Sequence, residues 1–309
     1  MAAMAFLPAL LAAVSAAAQT GASGLQQAVN RAMARKNGAV VVLDVDSNRV
    51  LASYRPDVAA QRLAFPGSSI KTFTLLALLR EGKVTSQAAL MCKRPLTISG
   101  HRLDCSHPDT HHPLGPTEAL AYSCNSYFTS VATRLSPEQL RRAFLADGLA
   151  SPTGLAKKEA TGSVALASTT PELQLQAIGE WGIKVTPLEL LRAYRDLAVV
   201  AGGDPDPDVE IVLTGLGGST SYGMGRLAQP DSTMKVAGKT GTSRAEEGAW
   251  THAWFAGWAP AAKPQIVLVV FLEKGTGGSD AAAVARSIFA EYGKSAGIMP
   301  QNAAGKGGQ

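Results

Sequence analysis

Two kinds of pattern divide this chain, and their placement constrains the fold more than any single residue. β-Rich runs lie near its two ends. AVVVLDV (39–45) and RVLASY (49–54) flank a turn at Asp46-Ser47-Asn48, which predicts a hairpin. MKVAGKTGTS (234–243), HAWFAGWAP (252–260) and PQIVLVVFLE (264–273) predict three successive strands. From about residue 84 to about residue 225 the pattern is mostly helical, broken by Gly/Pro turns. The simplest way to pair these strands is one sheet made by both chain ends. The expected fold class is therefore α+β: an antiparallel β-sheet flanked by helices, with a separate all-helical lobe from the middle. A cleft between the two is the natural active site.

Local signals place the helices. GLQQAVNRAMAR (24–35) is amphipathic. Ser136 is a good N-cap for the helix beginning Pro137-Glu138. PLELLRAYRDLAVV (187–200) has Pro in its first turn and stops at Gly202-Gly203. SDAAAVARSIFAEYG (279–293) predicts a closing helix with Ser279 as N-cap. There is no internal repeat.

The chain has 309 residues and a formal charge of +5. Its basic residues are scattered, which suits an anionic surrounding such as a cell wall and is no nucleic-acid footprint. Residues 1–18 read as a signal peptide. The apolar run is short, Pro8 breaks it, and Ala16-Ala17-Ala18 fits a cleavage site, although no positive charge precedes it. The expected domain is 22–298, followed by a disordered tail at 299–309. The expected location is exported, periplasmic or extracytoplasmic, with a membrane tether only if the first segment is uncleaved. Export permits a disulfide. Cys92 and Cys105 flank KRPLTISGHRLD, which alternates like a small hairpin, and form the expected bridge. Cys124 is left as a free buried thiol. The alternative is three unlinked small hydrophobes.

One stretch poses a chemical problem. In PGSSIKTFT (66–74), a lysine stands one turn after a serine at the mouth of an apolar helix. A buried ammonium is costly unless it is paired or deprotonated. Positions i and i+3 share a helix face, so Lys71 can reach the Ser68 hydroxyl. A serine needs a base, and lysine can be one only when neutral. Burial and a nearby cation, Lys239, would lower its pKa. Two further signals follow in order: Ser123-Cys124-Asn125, then Lys239-Thr240-Gly241 with Thr242. Each alone reads as a cap, a polar turn or a strand end. Together they fall on a helix start, a helical region and a strand.

In these motifs, and in ALAYSCNSYF (119–128) and AIGEWGIKVTPLELLRAYRDLA (177–198), the chain resembles the penicillin-binding transpeptidases and their relatives the serine β-lactamases. The likeness spans roughly residues 36 to 293. It implies a serine D,D-transpeptidase or D,D-peptidase acting on peptidoglycan stem peptides ending in D-Ala-D-Ala, through an acyl-Ser68 intermediate. β-Lactams would be covalent inhibitors. Lys71 would be the base, and Ser123 would relay the proton. Asn125 would hold the substrate amide and Lys71. Lys239, Thr240 and Thr242 would hold the terminal carboxylate. Gly241 would let the substrate backbone lie close. The backbone N–H groups of Ser68, at a helix start, and Thr242 would form the oxyanion hole. Trp181 and Trp258 depart from the family pattern.

No cofactor is expected. The segment from Cys105 through His107, His111 and His112 is rich in ligand types, but its spacing matches no paired-ligand pattern, so no metal is expected either. Two alternative functions stand beside the enzyme. One is a serine β-lactamase, for which Glu159 and Glu172 are the candidate deacylation groups, although neither lies in a fitting loop. The other is a β-lactam or muropeptide sensor or a cell-wall scaffold. The chain reads as a bare catalytic domain, served by a cell-wall enzyme partner if it has one.

Overall fold

The computed structural model describes residues 23–231 and 233–300. The expected signal peptide at 1–18 lies outside the described residues, as does most of the expected tail. Met299 is described and buried, and its N–H donates to the Gly293 carbonyl (2.9 Å). The packed body thus runs past the boundary expected at 298.

Helix α1 (residues 23–33) leads into β1 (Gly38–Asp44), β2 (Val50–Tyr54) and α2 (Pro56–Gln61). A 3-10 turn at Gly67–Ile70 opens α3 (Lys71–Arg80). The middle comprises the β3 (Thr97–Ile98) and β4 (His101–Arg102) hairpin, α4 (Pro116–Ala121), α5 (Asn125–Ala132) and α6 (Pro137–Ala146). Then come β5 (Ser163–Val164), α7 (Thr170–Ala177), β6 (Ile183–Lys184), α8 (Pro187–Ala201) and α9 (Pro207–Ser221). The chain returns through β7 (Ala237–Arg244), β8 (Thr251–Ala259) and β9 (Ile266–Leu272) to α10 (Ala282–Ser295).

The sheet is five-stranded, in the order β2-β1-β9-β8-β7, with every pairing antiparallel. The two chain ends meet where β1 pairs β9. All seven residues of β9 are buried, as a continuous apolar run covered on both faces should be. Val40 and Val42 point to one core with Leu25, Val29, Ile288 and Phe289 of the terminal helices. Val41 and Leu43 point to the other, which runs without a break through Trp254, Phe271 and Tyr194 to Leu140 and Phe144 of the helical lobe. The fold is α+β as expected, and its two lobes share that core.

The Ser136 cap is present as a reciprocal capping box with Gln139. Thr186 and Glu189 form another ahead of Pro187. Ser279 is not the cap of the last helix. A π turn at Gly277–Ala281 precedes α10, and the Asp280 carboxylate accepts the Thr276 N–H (2.8 Å). Strand β7 closes the sheet, so its outer edge faces the Ser68 turn.

Candidate active site

Ser68 sits in the 3-10 turn, and the polypeptide around it is held mostly by main-chain atoms. Gly67 has φ +52°, and a Cβ there would stand 2.4 Å from the Thr242 carbonyl oxygen. Its N–H donates to the Gly179 carbonyl (3.1 Å). A Cβ on Gly241 would stand 2.5 Å from the Pro66 carbonyl oxygen. Gly241 therefore lacks a side chain because the serine turn packs on it, a reason unrelated to the substrate approach expected from sequence. Hydroxyls pin the flanks. Ser243 donates to the Phe65 carbonyl (2.6 Å) and Ser69 to the Pro66 carbonyl (2.7 Å). Tyr194 of α8 donates to the Ser69 carbonyl (2.8 Å) and lies 2.7 Å from the Thr72 hydroxyl.

Lys71 is fully buried. Its ammonium donates to the Ser123 carbonyl (2.8 Å), the Ser123 hydroxyl (3.3 Å) and Asn125 Oδ1 (2.5 Å). These bonds turn it toward the second motif and leave the Ser68 hydroxyl unpaired among the described residues. Desolvation pulls its pKa down to about 8, while Cys105, Cys124 and Glu180 oppose the fall. Lys239, also fully buried, donates to the Thr240 carbonyl (3.1 Å). Its pKa is lowered well below the ordinary value by desolvation and then by the charge on Lys71. The sequence expectation ran the other way, from Lys239 to Lys71. Burial itself is the main cause at both lysines.

Ser123 adopts φ +56°, a left-handed turn that a serine takes only when its surroundings hold it there. The Cys124 sulfur then caps α5 by accepting the Tyr127 N–H (3.4 Å). Asn125 is committed on both ends, its Oδ1 to Lys71 and its Nδ2 to the Leu103 carbonyl (2.8 Å). Thr242 Oγ1 accepts the Gly277 N–H (2.9 Å).

Ser68, Ser123, Asn125, Thr240 and Thr242 line one cleft with Tyr122, Met224 and Gly278. Lys71, Lys239 and Gly241 are buried. All eight expected residues thus converge, five on the cleft itself. Sequence reasoning missed Glu180, which also lines it. Burial raises this carboxyl to about 7, against the opposing charges of Arg244 and Lys71, and its Oε2 has no hydrogen-bond partner among the described residues. The available signal was an acid in GEWG, beside the already unusual Trp181.

Other candidates lie elsewhere. The Glu159 carboxylate is spent on the Thr153 and Ala156 N–H groups, and Glu172 closes a capping box with Thr169. His252 is buried with Nδ1 2.9 Å from the Glu273 carbonyl. Trp258 packs in the core beside Tyr194. The expected Cys92–Cys105 bridge is not formed. All three cysteines are free thiols in this structure, the Cys92 and Cys105 sulfurs standing 3.5 Å apart on either side of the hairpin.

Residues 38–290 match the family model described as the penicillin binding protein transpeptidase domain. The chain is 27% identical to the peptidoglycan D,D-transpeptidase PbpA of Mycobacterium tuberculosis, over 82% of this chain and 66% of that protein. It is 25% identical to the peptidoglycan D,D-transpeptidase FtsI of Escherichia coli, over 77% of this chain and 47% of that protein. It spans about two thirds of the length of the first relative and less of the second. Among solved structures, the D,D-transpeptidase domain of a peptidoglycan glycosyltransferase from Eggerthella lenta superposes with TM-score 0.76 at 22% identity, covering 90% of this chain and 82% of that one.

Proposed function

The chain belongs to the penicillin-binding protein transpeptidase family, and from that premise we propose that it is a serine acyltransferase acting on D-Ala-D-Ala-terminated peptidoglycan stem peptides. Ser68 attacks the penultimate carbonyl. Neutral Lys71 takes the hydroxyl proton as the C–O bond forms. The N–H groups of Ser68 and Thr242 stabilise the developing oxyanion. The Ser123 hydroxyl, already bonded to Lys71, passes the proton to the departing D-Ala amine. The substrate lies extended along the outer edge of β7, with its carboxylate toward Thr240, Thr242 and Lys239. An amine of a second stem, or water, then releases the acyl group. β-Lactams acylate the same serine.

One observation carries this reading. A desolvated lysine with a pKa near 8 is bonded from behind the cleft to Ser123, which shares that cleft with the unpaired Ser68 hydroxyl. The acidic wall polymer also suits the positive net charge, and relatives named peptidoglycan transpeptidases support action outside the cytoplasm. No helix of the described residues is long and apolar enough to cross a membrane.

Glu180 favours a second outcome at the same serine: hydrolysis, with its carboxylate drawing a proton from water. Intact mass after penicillin addition, on wild type and Ser68→Ala, separates these readings. A persistent adduct on wild type alone supports the transferase. An adduct that clears within seconds while drug is consumed makes the protein a β-lactamase. No adduct at any dose sinks acyl transfer and leaves a scaffold.

A further inference from the structure

Four side chains outside the acyl-transfer groups converge from separate segments. Cys92 precedes the β3–β4 hairpin, Cys105 and His107 follow it, and Cys124 caps α5. Their ligand atoms all lie within 4.8 Å of one another. Three of the residues are buried and Cys92 is half-buried. The sulfurs stand 3.5 Å apart at Cys92–Cys105 and 3.7 Å apart at Cys105–Cys124. A disulfide requires about 2.05 Å. Two thiolates on a tetrahedral zinc, at bonds of about 2.3 Å, stand about 3.8 Å apart.

The surroundings suit a metal as well as the spacing does. His107 Nδ1 lies 2.7 Å from the Pro108 carbonyl and 3.1 Å from an Arg94 guanidinium nitrogen, and the tautomer with its proton on Nδ1, bonded to that carbonyl, leaves the Nε2 lone pair for a ligand. The Ser126 N–H points at the Cys105 sulfur and the Tyr127 N–H at the Cys124 sulfur, both at 3.4 Å. Both N–H groups come from the start of α5, where a helix stabilises negative charge. The Arg94 guanidinium donates to the His107 carbonyl (2.6 Å), and its charge lies near Cys92. Three thiolates and a neutral imidazole on a divalent ion leave one net negative charge, which Arg94 balances.

We propose that Cys92, Cys105, His107 and Cys124 bind one zinc ion as a structural Cys3His site. This proposal departs from the expectation drawn from spacing, because the four donors come from a hairpin's flanks and a helix cap rather than from adjacent pairs. A Cys92–Cys105 disulfide would use two of the four donors and leave a third thiol and the oriented imidazole without a role. Because Cys124 lies between Ser123 and Asn125, the ion anchors that turn to the segment carrying Leu103 and Ser106, which line the cleft. Metal binding stands by itself. Its consequence for acylation rests on the proposed function.

The full chain, purified without chelator or histidine tag, is assayed for metal by plasma mass spectrometry and for thiols by alkylation after denaturation. One zinc per chain and three alkylated cysteines are expected. Cobalt(II) added to stripped protein should give thiolate charge-transfer absorbance and tetrahedral ligand-field bands. Cys92→Ser, at the half-buried position, should lose stoichiometric zinc, and Arg94→Ala should weaken zinc binding about tenfold or more. If Cys92→Ser fails to fold, the cobalt spectrum of wild type decides, since its charge-transfer intensity reports the number of thiolates. Three free thiols with no metal, a disulfide, or an octahedral cobalt spectrum would each overturn the site. Zinc removal should slow penicillin acylation of Ser68, and zinc should restore it. A zinc-loaded chain that never forms the adduct would sink the acyl-transfer reading and leave the metal site standing.

Discussion

Ser68 and Ser123, the two motif serines of the cleft, are held by different means. The Ser68 turn is fixed by main chain pressed on main chain: Gly67 against Thr242, and Gly241 against Pro66. The Ser123 turn is held by groups that can titrate or oxidise, the Lys71 ammonium and the Cys124 thiol, with the Asn125 amide bonded to that ammonium. Steric contact of this kind depends on neither pH nor redox state. The hydrogen bonds of a lysine depend on pH, and those of a thiol depend on its redox state. The position of Ser68 is therefore built to be constant, and that of Ser123 is conditional.

The largest break in this contrast comes from Gly67→Ala. A positive φ and a Cβ 2.4 Å from a carbonyl oxygen cannot both be absorbed. The expected loss is about 3 kcal/mol or more, with the penicillin adduct abolished. Thermal unfolding and intact mass check both, and a wild-type melting curve would refute the steric account of this turn.

Lys71 tests the conditional side. Its folded pKa, about 8, lies below the unfolded value of 10.5. Between those two pH values the unfolded chain binds a proton that the folded chain does not, so stability rises with pH through this window. The gain reaches about 3 kcal/mol by its upper end. Below pH 8 both states are protonated and the slope vanishes. The acylation rate should climb through pH 8 as the base becomes neutral. Denaturant titrations across pH, with Lys71→Ala as the control that lacks this contribution, measure the first effect, and timed adduct formation measures the second.

Tyr194→Phe sharpens the constant side. It removes the hydroxyl that serves the Ser69 carbonyl and the Thr72 hydroxyl. A buried acceptor left unpaired costs about 1–3 kcal/mol. Acylation should keep its pH midpoint while the melting temperature falls. A shifted midpoint would show that the turn and the base are coupled after all.

Glu180→Gln should have the smallest effect. The carboxylate raises the pKa of Lys71, so its removal should move the midpoint of acylation down by a few tenths of a pH unit. An upward move would contradict the assigned sign.

Much of the fold was legible because strands and helices advertise themselves by local period. The runs at 39–54 and 234–273 became the five strands, and Ser136 became a cap as read. Ser279 misled because a short acid nearby, Asp280, served the same turn better. The eight motif residues were readable as types at fixed spacing. Glu180 was not, since a lone acid in a loop carries no period, and only the fold aims it into the cleft.

By itself the sequence determined which segments pair and which side chains could do acyl chemistry, because both follow from residue type and from neighbours a few positions away. Tertiary structure alone decided that Lys71 is dry, that it faces Ser123 and Asn125 rather than Ser68, that Gly241 serves the serine turn, and that three thiols meet one imidazole. Desolvation, steric contact and ligand convergence depend on distances between remote segments, and those distances exist only once the two chain ends have closed the sheet around the helical middle.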